Sequence, residues 1–289
     1  MSILHKGDKV GFIACSDGRD RSKSGIYLTL ENMLAQFGVH AVYAKTFYAV
    51  GNSPFSGTPE ERATELMKLY QNKEIKAVFD LSGGNAANEL LSFINMAVIK
   101  ENPKPFVGIS DLSVVNNALF TLTGITNLHY QVANLLGPDN EFQKELFTKV
   151  FFDEWESSNQ LITYSYKWLR GSSMEGTVIG GNVRCFLKLA GTCYMPSPDD
   201  KLLFLESLGG GPAALASYIA QLDQLGFLER CNGILLGTFT EMEQSTGSPT
   251  VEELVLTATE KYGIPVAKTD KLGHGPDSHC LPIGLNLRL

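Results

Sequence analysis

Residues 77–122 read AVFDLSGGNAANELLSFINMAVIKENPKPFVGISDLSVVNNALFTL, and their pattern decides the fold. Two apolar runs, 77–81 and 106–109, are too short for helices, and each runs into a turn built on glycine or serine. The first is followed by Ser82-Gly83-Gly84-Asn85 and an expected helix over 86–95. The second is followed by Ser110-Asp111 and an expected helix over 112–122. Strands separated by helices imply right-handed βαβ units and a mostly parallel sheet. Toward the N-terminus the same alternation continues. A strand is expected over 9–15, and a helix carries Ile26, Leu30, Met33, Leu34 and Phe37 at three-to-four spacing until Gly38 ends it. A strand over 40–46 and a helix from Thr58 to about Gln71 follow. Thr58-Pro59-Glu60-Glu61 is a well-formed start, with Thr as N-cap, Pro in the first turn and Glu three residues after the cap.

Beyond residue 136 the periodicity degrades, between Gly137-Pro138 and Gly171-Ser172-Ser173. The expected organisation is therefore an N-terminal α/β unit over 1–136, a linker over 137–175 and a C-terminal unit over 176–289. The second unit reads as a strand over 177–179, a Gly180-Gly181-Asn182 turn into a helix, and a strand over 202–205. A Gly-rich turn, a helix to Leu225, a strand over 233–237, a helix near 250–262 and a short strand over 265–267 complete it.

Composition limits the functions. The 289 residues carry Lys+Arg 24 against Asp+Glu 31, a net charge of −7, so no general electrostatic drive toward nucleic acid or anionic membrane exists. No apolar stretch approaches the ~18 residues of a membrane span. The first fifteen residues mix Lys6, Asp8 and Lys9 into their apolar positions and read as an opening strand rather than a secretory signal. Cys15, Cys185, Cys193, Cys231 and Cys280 form no CxxC pair and leave one over if paired, which fits a reducing cytoplasm and simple small hydrophobes.

Ligands of parallel sheets gather at the carboxyl ends of strands. In Gly108-Ile109-Ser110-Asp111 a serine stands where a buried strand reverses into a helix, a geometry that lifts its hydroxyl out of the sheet. The turn resembles a nucleophile elbow with Leu112 in place of the second glycine; Ser110 as a plain helix N-cap is the alternative. Gly83 and Gly84 could offer unhindered N–H donors to an oxyanion or a phosphate, or simply make a tight turn. No G-x-x-x-x-G-K-[ST] and no G-x-G-x-x-G after a strand supports a nucleotide cofactor. Among five histidines, His5 and His40 sit at element starts, while His129 and His274 follow Gly-containing segments. His274 lies in the turn-rich Leu272-Gly273-His274-Gly275-Pro276, and His279 is five residues further on, which is not the helical metal spacing. Glu206 ends the 202–205 strand, where it could orient an imidazole or be an ordinary strand-end carboxylate.

Taken together, Ser82-Gly83-Gly84-Asn85, Gly108-Ile109-Ser110-Asp111, Gly180-Gly181-Asn182, Leu203-Phe204-Leu205-Glu206, Gly233-Ile234-Leu235-Leu236-Gly237 and Gly273-His274-Gly275 with Leu281-Pro282-Ile283-Gly284 resemble the LD-carboxypeptidase family of serine peptidases. The resemblance covers nearly the whole chain. It implies an α/β fold: an N-terminal Rossmann-like parallel-sheet domain, a smaller C-terminal α/β domain, and an active site in the cleft between them. It also implies a triad of Ser110, Glu206 and His274, with the backbone N–H groups of Asp111 and of the Gly83/Gly84 turn facing the oxyanion and Asn85 beside them on the substrate side. The implied reaction is hydrolysis of a C-terminal amide, releasing D-Ala from a cell-wall peptide in the cytoplasm without metal or cofactor. A homodimer, with no nucleic-acid or membrane partner, is implied as well.

Departures bear on the substrate. Muropeptide-cleaving members usually read R-G-G-Y-G where this chain has Ser82 in place of the Arg and Asn85 in place of the Tyr. Residues 83–91 look more like the branch containing the microcin C immunity peptidase, which cleaves aminoacyl or peptidyl nucleotides. Glu206 is followed by Ser207-Leu208-Gly209-Gly210-Gly211 without the usual acidic residue, and His129-Tyr130-Gln131 stands for the family's H-G-P. A non-catalytic protein that binds wall peptide or nucleotide is the reading from another class.

Overall fold

The computed structural model describes residues 2–155, 157–245 and 247–289. Met1 of the expected first unit lies outside them. The first sheet contains parallel strands β1 (Lys9–Ile13), β2 (His40–Tyr43), β3 (Ile75–Asp80), β4 (Phe106–Val107) and β5 (Asn127–His129). The second contains β6 (Lys167–Arg170), β7 (Glu175–Asn182), β8 (Lys201–Ser207), β9 (Gly233–Phe239) and β10 (Val266–Lys268), with β7 to β10 parallel in that order and β6 antiparallel on the β10 edge. Two late strands stitch the sheets together. β11 (Leu281–Ile283) pairs antiparallel with β5, and β12 (Asn286–Arg288) pairs antiparallel with β7. Each sheet thereby has six strands, in the orders β11-β5-β4-β3-β1-β2 and β12-β7-β8-β9-β10-β6. Pro282 is tolerated in β11 because that strand is an edge and its missing N–H breaks no ladder.

The helices are α1 (Ser24–Gln36), α2 (Pro59–Gln71), α3 (Met96–Glu101), α4 (Ser113–Thr123), α5 (Asn140–Phe151), α6 (Val183–Phe186), α7 (Pro212–Gln224), α8 (Phe227–Arg230), α9 (Thr240–Gln244) and α10 (Val251–Thr259). α2 begins as expected: the Glu61 amide donates to Thr58 Oγ1 at 3.2 Å and the Thr58 amide to Glu61 Oε2 at 2.8 Å. The helix expected over 86–95 does not form. That segment is turn and a short 3-10 piece, Leu91–Phe93, because its carbonyls are taken otherwise: Ala86 O accepts from Arg62 Nη1 at 3.4 Å and from the Glu89 amide at 3.2 Å, and Asn88 O from the Leu91 amide at 3.3 Å, i to i+3 bonds in place of the helical ladder. The described residues between 137 and 175 include a helix and a strand. α5 buries Leu146, Phe147, Val150 and Phe151 with Phe79 and Leu128, and β6 joins the second sheet. Gly180-Gly181-Asn182, expected as a turn, is the end of β7, with Asn182 capping α6. One apolar cluster runs from Ile13, Val78 and Leu119 to Ile179, Leu203 and Val266, so the halves share a core. No helix among the described residues is long and apolar enough to cross a membrane.

Candidate active site

β4 ends at Val107, and a single 3-10 turn, Ser110–Leu112, leads from it into α4. Ser110 has φ +60°, and only Asp200 shares a positive φ with it among the described non-glycine residues. Such a conformation costs on the order of 1–3 kcal/mol and persists only where its flanks dictate it. Here Gly108 N–H donates to Leu128 O at 3.0 Å, Asn116 Nδ2 donates to Gly108 O at 2.9 Å, and Leu112 N–H donates to Ile109 O at 3.1 Å. The strained elbow therefore forms with Leu112 in place of glycine. Ile109, not Ser110, holds the N-cap position, so the capping alternative does not apply.

Asp111 turns away from the cleft and is fully buried. Its Oδ2 accepts from Ser16 Oγ at 2.7 Å and from the Ala87 amide at 2.8 Å, while Oδ1 pairs with Lys188 Nζ. Lys188 also donates to the Asn85 carbonyl at 2.8 Å. A lysine from the second half thus ties the serine turn to the glycine turn. Gly84, at φ +135°, is required twice over, because a Cβ there would also strike the Asp17 carboxylate. Gly83 and Gly84 line the cleft with Ser110, whereas Asn85 does not; its side chain is taken by Arg184. Burial raises the pKa of Asp80, which accepts from the Cys15 amide at 2.8 Å and from the Ser82 hydroxyl at 2.6 Å. Burial, then the Asp80 charge, pushes the Cys15 thiol well up and leaves it unreactive.

Glu206 is fully buried where β8 meets a register shift against β9, an irregularity that re-aims side chains near sites. Its Oε2 lies 2.6 Å from His274 Nδ1. Gly273 precedes that histidine at φ +134°, and a Cβ on it would collide with Thr238 Oγ1. The loop carrying His274 is fastened from the first half: Asn134 Nδ2 donates to Gly275 O at 3.0 Å, and Gln143 Nε2 donates to Pro276 O at 2.9 Å and Ser278 O at 3.0 Å. His274 Nε2 is buried without a hydrogen-bond partner among the described residues. Ser110 and His274 both line one cavity of about 590 Å³, and no hydrogen bond joins them.

His129 is buried edge-on to Phe204 with ring centroids 5.1 Å apart. Burial is the main cause lowering its pKa to about 4, the nearby His274 adds to the shift and Glu206 opposes it, so the ring is neutral at pH 7. His279 packs tilted against Phe142 and edge-on to Tyr164, and burial lowers its pKa to about 4. No group of three His, Cys, Asp or Glu side chains among the described residues is arranged to hold a metal ion. Lys188, Asn134 and Gln143 were not legible as site residues, since each acts through a contact more than 70 residues away.

Family models for the LD-carboxypeptidase N-terminal and C-terminal domains match residues 10–130 and 175–289. A probable murein peptide carboxypeptidase of Bacillus subtilis is 28% identical, covering 97% of this chain and 88% of its own. The murein tetrapeptide carboxypeptidase of Pseudomonas aeruginosa is 26% identical over 88% of this chain and 86% of its own. The solved structure of MccF in complex with glutamyl sulfamoyl guanosine superposes with a TM-score of 0.87 at 22% identity, covering 99% of this chain and 93% of that one, which establishes the shared fold.

Proposed function

This chain belongs to the LD-carboxypeptidase family of serine peptidases, and we propose that it hydrolyses a C-terminal amide with Ser110 as nucleophile, His274 as base and Glu206 as the carboxylate that orients it. The observation that carries this reading is the 2.6 Å contact between His274 Nδ1 and Glu206 Oε2, which leaves Nε2 unpartnered at the cavity that Ser110 enters. Ser110 Oγ attacks the carbonyl carbon as Nε2 takes its proton. The oxyanion faces the backbone N–H of Asp111, free of an intrahelical acceptor at the start of its turn, and those of the Gly83/Gly84 turn. His274 gives its proton to the leaving amine, the C–N bond breaks, and a water activated by the same imidazole releases the acyl group. A Ser110 and His274 not yet hydrogen-bonded fit a site whose hydrogen bonds tighten when substrate binds.

A cell-wall peptide in the cytoplasm is the proposed substrate, in keeping with the names of the two carboxypeptidases above. The second reading, an aminoacyl sulfamoyl nucleotide, is favoured by the Gly83-Gly84-Asn85 turn, which offers backbone donors and no cationic side chain of its own. Incubation with a muropeptide tetrapeptide and with an aminoacyl sulfamoyl adenosine, followed by mass spectrometry, separates the two. A serine-directed phosphonate should label Ser110; a non-catalytic binding protein would not react.

A further inference from the structure

The lining of the 590 Å³ cleft is lopsided in charge. Arg19 and Lys23 supply its cationic side chains, and Asp80, its one carboxylate among the described residues, is already bonded to Cys15 and Ser82. Ile26, Leu30, Val132 and Leu136 add an apolar wall, and Leu208 reaches in from the second half. Ile26 and Leu208 are each 52% exposed, although both face a concave site. Exposed aliphatic side chains in a cleft mark a surface that an apolar part of a ligand covers.

Arg19 is held in place on this rim. Its Nε donates to Tyr27 Oη at 2.8 Å, and its guanidinium lies 5.6 Å from the Tyr27 ring centroid. Its amide donates to Phe47 O at 2.8 Å, and its carbonyl accepts from the Ala49 amide at 2.9 Å. The preceding Gly18 lies so close to the neighbouring chain that a Cβ would come within 2.6 Å of Ala49 Cα and 2.7 Å of Ser56 N. The backbone and Nε are thus fixed, yet neither Nη has a hydrogen bond, and no carboxylate lies within 4 Å of it among the described residues. A half-buried guanidinium with an open planar fork matches a carboxylate or an equivalent oxyanion, and its prior fixation spares ordering entropy on binding.

We propose that Arg19 is the specificity-determining residue of this site, receiving an anionic group of the substrate while the aliphatic wall covers the apolar part beside it. The proposal rests on the hydrolase reading only in taking this cleft as the substrate site. The anion can be the terminal carboxylate of a peptide or the sulfamate of an aminoacyl nucleotide. The test uses the full chain, with and without Arg19→Gln, and three probes: a tetrapeptide with a free carboxylate, the same peptide with a C-terminal amide, and an aminoacyl sulfamoyl adenosine. Arg19→Gln should lower kcat/KM for the anionic substrate by about 10–100-fold, chiefly through KM, because a charge-assisted bond is lost. It should leave the amidated peptide unchanged, and Arg19→Lys should restore part of the loss. Tyr27→Phe frees the side chain and should raise KM for the anion alone. Which anionic probe suffers identifies the source. Calorimetric binding in a Ser110→Ala background repeats the comparison without turnover, so a failure of catalysis does not mask it. Equal effects of Arg19→Gln on acid and amide would mean that Arg19 merely supports its loop. Absence of any preference for the anion, or of any binding, would also overturn the proposal.

Discussion

Ser110 and His274 reach the same cavity by opposite means. The serine turn is fixed by its own neighbourhood, since Gly108, Asn116 and Leu128, all within twenty residues, hold its backbone. His274 instead lies in the long connection between β10 and β11, and Asn134 and Gln143, from more than 130 residues earlier, pin that loop. The proposed nucleophile is thus built locally, whereas the proposed base is delivered by the packing of one half on the other. Substitutions that loosen the seam should therefore damage the base before the nucleophile.

The largest effects test the chemistry on each side. Ser110→Ala should lower kcat about 10⁶-fold with the melting temperature nearly unchanged, by analogy with other serine hydrolases. Retained turnover would remove Ser110 from the mechanism. Glu206→Gln should cost about 10⁴-fold in kcat with KM preserved, since an amide cannot stabilise imidazolium. A loss below about tenfold would mean that another group holds His274.

Lys188→Met probes the seam itself. It leaves the Asp111 carboxylate buried without its cation, which should destabilise the protein by about 3–5 kcal/mol in urea unfolding and slow turnover. Gln143→Ala strips the Pro276 and Ser278 carbonyls and the Tyr130 hydroxyl of a partner, at about 1–3 kcal/mol. It should reduce kcat more than it reduces the accessibility of Ser110 to a small acylating reagent; equal losses would break the contrast between the two regions.

The last test concerns acid. Unfolded histidine takes its proton near pH ~6.5, but folded His129 does so only near about 4. Its contribution is therefore complete above the unfolded value and is lost as the pH falls from there toward 4, by up to ~3 kcal/mol. His129→Gln should flatten the acid limb of a thermal-stability profile, with His279 leaving a residual slope.

Much of this was legible in the sequence because it is local. Thr58-Pro59-Glu60-Glu61 satisfies its own helix start, and Ser110 stands at a strand end flanked by glycine at 108. What escaped depends on distant partners. The 86–95 segment has helical residues, yet the buried Arg62 draws on the Ala86 carbonyl that a helical ladder would use, so tertiary bonding overrides propensity. α5 shows apolar spacing at Phe142, Leu146, Phe147 and Val150, but the Gly137-Pro138 signal that looked like a break in fact precedes a helix start. The pairing of β11 with β5 leaves no trace in either segment, because strand partners are chosen across the sheet rather than along the chain.

That pairing has a consequence for how the protein comes into being. A growing chain contains β1 to β5 and the Ser110 turn once residue 129 has been added, but the edge strand that closes their sheet is not present until residue 283 has been added. At about 5–20 residues per second, that leaves an interval of roughly 8–30 s in which the nascent first half lacks the partner of its β5 edge. The Gly273–His274 loop is translated just ahead of β11, so the proposed base and the closing strand of the first sheet are added within about a dozen residues of each other. A ribosome stalled before residue 274 would hold the proposed nucleophile without the proposed base.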